Sequence, residues 1–160
     1  MELKKQSFGV IIATRNIVNF KLAVEARKKV LSKLDEMGFG SVILPENETP
    51  TSNIEGYEDA IKCARYFKQN ADKIDGILVV LPNFGDELGV VNTIKMAGLN
   101  VPVLVQACDD DNDKVDVKSR RDAFCGKLSV CNNLYQYGIK FTDTTYHTYS
   151  LDSKEFTADI

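Results

Sequence analysis

The 160-residue chain has no tryptophan, one histidine and only four prolines. Its four cysteines, Cys63, Cys108, Cys125 and Cys131, never form a CxxC pair, and His147 is the only imidazole. A structural zinc site draws closely spaced Cys and His ligands, so the chain lacks the usual set for one. Nor is there an excess of basic residues: 20 Lys plus Arg stand against 23 Asp plus Glu, a net charge of -3. That excludes the electrostatic footprint of a duplex nucleic-acid or anionic-membrane binder. No apolar run approaches the roughly 20 residues that cross a bilayer. Met1 to Gln6 is polar and charged, and Phe8 to Thr14 is too short for the apolar core and cleavage site of a signal peptide. A cytoplasmic protein with reduced, packed thiols is the expectation. Neither GxGxxG nor GxxxxGK[ST] occurs, which removes the backbone phosphate cradles of dinucleotide and nucleoside-triphosphate sites.

What remains is an ordinary globular composition, with 44% apolar and 27% charged residues. One domain of this size buries roughly 70% of the surface its unfolded chain exposes, so the fold needs no disulfides. Five short runs rich in Val and Ile recur: Phe8 to Thr14, Ser41 to Leu44, Gly76 to Leu81, Val101 to Gln106 and Ile139 to Thr142. Being apolar on both faces, they suit strands covered by helices on each side.

Four stretches of helical spacing alternate with these runs. Phe20, Val24, Val30, Leu31, Leu34 and Met37 share the first helical face, and Gly38 ends it. Tyr57, Ala60, Ile61, Ala64 and Phe67 form the second, while Leu88, Val91 and Ile94 form the third, stopped by Gly98. The fourth starts near Asp122 with Ser119 as N-cap, turns Phe124, Leu128, Cys131, Leu134 and Tyr135 inward, and stops at Gly138. Right-handed crossovers wind such a chain into an α/β three-layer sandwich with a five-stranded parallel sheet. The expected order is 2-1-3-4-5, the flavodoxin-like (Rossmann-like) arrangement. Residues 1–142 are read as that domain. The polar and aromatic stretch that follows, with Ser153 as the cap of a further helix, makes 143–160 the start of a connection to a following domain.

Ligands of open parallel sheets bind beyond the carboxyl ends of the strands, near the switch in strand order. Three loops reach that region: Arg15-Asn16, Asn83 to Glu87, and Cys108 to Arg121. The first lacks the glycine and hydroxyl groups that cradle a flavin phosphate. It also lacks the paired acids of a receiver domain, and Leu81-Pro82 stands where that domain needs its phosphoryl-accepting Asp. The remaining residues suit a polyol. Arg15, Asn16 and Asn83 donate to hydroxyl oxygens, Phe84 offers an apolar face to a sugar's C–H side, and Asp86 or Glu87 accepts hydroxyl protons. Each has a structural alternative: Asn83 and Asp86 as turn and cap residues, Phe84 as a subunit contact, Arg15 as the partner of an acid on the opposite loop. Asp109 to Asp111 with Asp113 lacks the alternation and glycine of a calcium loop and reads as solvated. Arg120 and Arg121 oppose the dipole of the fourth helix unless they face an anion or carboxylate. Cys125, early in that helix, has no nearby His to act as base and reads as a packing residue.

The segment RRDAFCGKLSVCNNLYQYG from Arg120 to Gly138, with Asp109 to Asp111 and the tail HTYSLDSKEF from His147 to Phe156, resembles the L-fucose and L-arabinose isomerase-like family. The similarity is to the amino-terminal domain and covers nearly the whole chain. The resemblance implies an aldose-ketose isomerase working through an enediol. Manganese holds the substrate oxygens, and its ligands, two acids and a histidine, lie in later domains outside this chain. It also implies a homo-oligomer, a hexamer, in which this domain lines a neighbouring subunit's pocket. Arg15 then supplies the polar contact after the first strand and Phe84 the aromatic one after the third. Asn16, Asn83, Asp86 and Arg121 complete the expected substrate contacts, and no catalytic residue falls within the chain. A non-catalytic sugar- or metabolite-binding module is the alternative.

Overall fold

A computed structural model describes residues 5–15 and 17–160. Strands β1 (Ser7–Ile12), β2 (Gly40–Val42), β3 (Gly76–Leu81), β4 (Val103–Ala107) and β5 (Thr142–Asp143) alternate with helices α1 (Lys21–Glu36), α2 (Tyr57–Gln69), α3 (Glu87–Ala97) and α4 (Ala123–Gln136), and α5 (Lys154–Asp159) follows. All strand pairs are parallel, in the order β2-β1-β3-β4-β5. The expected α/β fold and strand order are therefore present. Central β3 is buried at every position, as the unbroken run GILVVL requires.

Side-chain alternation divides the core. Val10, Ile12, Leu78 and Val80 pack with Ala23, Val30 and Leu34 of α1 and Phe156 of α5. Ile11, Ile77, Val79, Leu81 and Val105 point the other way, onto α2, α3 and α4. Residues 143–160 are built into the first layer: Tyr149, Leu151 and Phe156 are all buried in it. Ser153 caps α5 as expected, accepting from Phe156 N at 3.1 Å. The glycines expected to stop α1, α3 and α4 all carry positive φ, at Gly38, Gly98 and Gly138.

Helix α4 departs from its expected orientation. Of the stripe read as inward, Leu134 is fully buried, whereas Phe124, Leu128 and Tyr135 are exposed. The face on the sheet is Ala123, Gly126, Lys127, Val130 and Leu134. Its small residues explain the choice. A β-carbon on Gly126 would stand 1.9 Å from the Phe84 carbonyl oxygen, so only a helix face without a side chain there can come so close. Ser119 is not its cap: Asp110 reaches across and accepts from Ala123 N at 2.7 Å and Phe124 N at 3.2 Å. Cys125 is exposed rather than packed, and all four cysteines are free. Burial pushes the Cys63 thiol up to about 12 and Cys108 up to about 11, so both are inert packing groups.

Lys127 holds the edge of the sheet. Only 3% of its side chain is exposed, and its ammonium donates to Thr144 Oγ1 at 2.5 Å and the His147 carbonyl at 3.1 Å, beside Asp143 Oδ1 at 2.6 Å. Strand β5 is two residues long and cannot hold itself by ladder bonds, so this cation ties it to α4. Lys127→Met removes the ammonium from Thr144 Oγ1, the His147 carbonyl and Asp143, of which Asp143 keeps the Thr144 amide, and is expected to cost about 1–3 kcal/mol. Urea unfolding measures the loss, and hydrogen exchange places the loosening at residues 143–150.

Candidate active-site crevice

The chain reverses its winding between β1 and β3, and the loops after these strands meet at the carboxyl edge of the sheet. A bridge of Ala13 to Ile54 extends β1, and Thr14 N bonds to the Ile54 carbonyl at 2.9 Å, so Arg15 leaves a fixed stem. The Arg15 guanidinium lies 4.6 Å above the Phe84 ring centroid. It is hydrogen-bonded to Glu87 and stands 3.9 Å from Asp86 Oδ2. Cation–π contact and a carboxylate together fix its plane, while the side chain keeps 26% of its surface open to solvent.

The other expected contacts divide. Asn83 is fully buried; it donates to Thr14 Oγ1 at 2.8 Å and the Asn19 carbonyl at 3.3 Å, and accepts from Gly85 N at 3.0 Å. It is the pin joining the two loops. Asp86 is the N-cap of α3, accepting from Gly89 N at 2.6 Å. Arg121 lines a separate cleft of about 240 Å³ on the α1 side, with Lys29, Cys108, Asp111 and Leu151. Its Nε binds Asp111 Oδ2 and its Nη1 binds the Pro82 carbonyl, both at 3.1 Å. Arg120 pairs with Asp122 at 2.8 Å. Both arginines thus face carboxylates, which removes their conflict with the helix dipole. Asn16 lies outside the described residues.

Residues given no such role from sequence complete the crevice, among them Asp110 of the acidic run read as solvated. Gly85 has φ of +73°, and a β-carbon there would meet Leu81 Cδ2 at 2.8 Å. Thr14 receives Asn83, and Asp110 holds α4 against the loop. The sequence signal for Gly85 was its place in an Asn-Phe-Gly-Asp turn and that for Asp110 its acidic run, read for charge and not for capping; Thr14 carried no local signal.

The field around Arg15 is acidic. Burial raises the Asp86 carboxyl above its usual range, opposed by the Gly89 amide and Arg15 and reinforced by Glu87 and Asp59. Burial also raises Glu55, with repulsion from Asp59 and Asp86 adding to it. These carboxylates do not fit a divalent cation: Glu87 is taken by Arg15, Asp86 by the helix cap, and Asp59 Oδ2 by the Glu55 amide at 3.0 Å. Among the described residues no group of three or more His, Cys, Asp or Glu is arranged to hold a metal.

Asp110 caps α4 from a distance, so Asp110→Ala is expected to lose about 0.5–2 kcal/mol, the usual cost of an N-cap. Thermal unfolding measures it; Ser119→Ala, at the position expected from sequence, should leave the midpoint unchanged.

The family model for the fucose/sulfoquinovose isomerase N-terminal domain matches residues 9–160. Comparison with curated proteins finds no match, and comparison with solved structures finds none. No helix among the described residues is long and apolar enough to cross a membrane. With its family model matched over residues 9–160 and its parallel sheet in the expected order, the chain belongs to the fucose/sulfoquinovose isomerase family as its N-terminal domain.

Proposed function

We propose that this domain supplies one wall of the sugar pocket of an aldose-ketose isomerase, at the interface with a neighbouring subunit in a homo-oligomer. The observation that carries the reading is Arg15, held between Phe84 and Glu87 at the switch point with about a quarter of its side chain open to solvent. Its free N–H groups would bind substrate hydroxyls, and the Phe84 ring would cover the C–H face. Asn83 and Asp86 act one step back, keeping the loop that carries Phe84 in place.

The domain binds and orients; it moves no proton. Its two open-edged carboxylates are committed to Arg15 and the helix cap, and the metal and acid-base groups that the family resemblance implies belong to other parts of the enzyme.

In an enzyme carrying this domain, Arg15→Ala should raise the Michaelis constant about tenfold to a hundredfold, the equivalent of charged hydrogen bonds of about 1.5–3 kcal/mol. The turnover number and manganese affinity should stay near the parent values. An unchanged Michaelis constant would make Arg15 a structural ion pair only. The 160-residue chain alone should not interconvert fucose and fuculose with manganese present; turnover above background would place catalytic groups within it.

A further inference from the structure

Arg27, in the second turn of α1, is 4% exposed and reaches from the helix to the segment that follows β2. Its Nη1 donates to the Ser52 carbonyl at 2.8 Å and its Nη2 to the Leu44 carbonyl at 2.6 Å, while Nε stands 3.7 Å from Glu46 Oε1. Burial pulls the guanidinium below its usual range, with Glu46 opposing the shift. A charge is a costly filler for such a position, since an apolar side chain packs without losing hydration. What arginine does there, and an apolar residue cannot, is hold two carbonyls at once in a rigid fork.

One of those carbonyls belongs to a strained residue. Ser52 has φ of +60°, in the left-handed region, and such a conformation persists only where its surroundings hold it. Asn53 beside it is 3% exposed, and its carbonyl accepts from Thr49 Oγ1 at 2.8 Å, which stiffens the link to Ile54. Ile54 then takes the place that β2 leaves. The last pair of β2 with β1 is Val42 with Gly9, and further along Ile54 stands beside Ala13. Its amide donates to the Ile12 carbonyl at 2.8 Å and its carbonyl accepts from Thr14 N at 2.9 Å. Arg15 is the next residue.

We infer that Arg27 is a positioning residue for Arg15: from within α1 it holds residues 52–54 against the end of β1 and so sets the direction in which Arg15 leaves the sheet. On the β3 side the same stem is held by Ala13 N on the Val80 carbonyl at 3.2 Å and by Asn83 on Thr14 Oγ1. Residues 52–54 supply the opposite side. A guanidinium at the end of a long side chain swings with its stem, so a small loosening there carries Arg15 off the Phe84 ring and Glu87. The kinetic consequence rests on the sugar reading of Arg15; the structural one does not.

NMR of the full chain tests the inference. Arg27→Met removes both donors. Beyond local changes at residues 44–54, it should move the amide signals of Ala13, Thr14 and Arg15 and release the Arg15 side-chain signals from the ring-current shift of Phe84. Arg27→Lys keeps the charge but offers a point donor in place of the fork; it is the second variant and should displace the same signals less. Leu34→Ala, fully buried about two turns on in the same helix, controls for loosened packing and should leave them in place. In an enzyme carrying this domain, Arg27→Met should raise the Michaelis constant about threefold to tenfold with the turnover number near the parent value, the pattern of a displaced binding group. Signal changes confined to residues 44–54 would overturn the inference, and so would a parent Michaelis constant for Arg27→Met where Arg15→Ala raises it. If Arg15→Ala itself leaves the Michaelis constant unchanged, the sugar reading fails and the Arg15 signals alone decide the positioning role.

Discussion

One close approach, of a helix to a loop, fixes much of the rest. Gly126 of α4 sits against the Phe84 backbone so tightly that a β-carbon would fall 1.9 Å from the carbonyl oxygen. Much of the crevice follows from that contact. It seats α4 on its small-residue face and holds the loop after β3 from behind. From the other end, Asp110 fixes the first turn of α4 while Arg121 grips the Pro82 carbonyl. Two elements remote in sequence thereby hold the segment Pro82 to Asp86 from both sides.

The same contact decides where polarity ends up. With Gly126 inward, Lys127 is carried into the interior, where Thr144, the His147 carbonyl and Asp143 receive its charge. The bulky stripe of Phe124, Leu128 and Tyr135 is carried outward in exchange. On the front of the loop, Phe84 lies beneath Arg15 and Glu87 completes the pair. The ring, the guanidinium and the carboxylate form a preset group at the carboxyl edge of the sheet.

Strand order and layers were legible because β1, β3 and β4 are largely apolar runs and α1, α3 and α4 each stop at a glycine of positive φ. The candidate site was legible to the level of the loops: Arg15, Asn83, Phe84 and Asp86 all lie at the carboxyl edge, though Asn83 and Asp86 hold the loop in place. The orientation of α4 was not legible. Its sequence carries two apolar stripes, and hydrophobic periodicity selects the bulkier one; the selection was made by the space available beside Phe84, which depends on a segment some forty positions earlier. The cap of α4 was hidden for a similar reason. Asp110 acts across a loop, outside the local spacing by which caps are recognised. Strand β5 was expected at Ile139 to Thr142 but forms at Thr142–Asp143, since Ile139 and Phe141 pack against the core while Lys127 fixes the chain after them.

Gly126→Ala tests most directly whether α4 sets the crevice. Backbone amide shifts of the variant, recorded with its unfolding free energy, are the measurement. A methyl group at 126 must displace the Phe84 backbone, so the account predicts shifts concentrated at residues 83–87 and Arg15, with a loss of about 1–3 kcal/mol for an overpacked contact. Unchanged shifts in that loop with parent stability would contradict it.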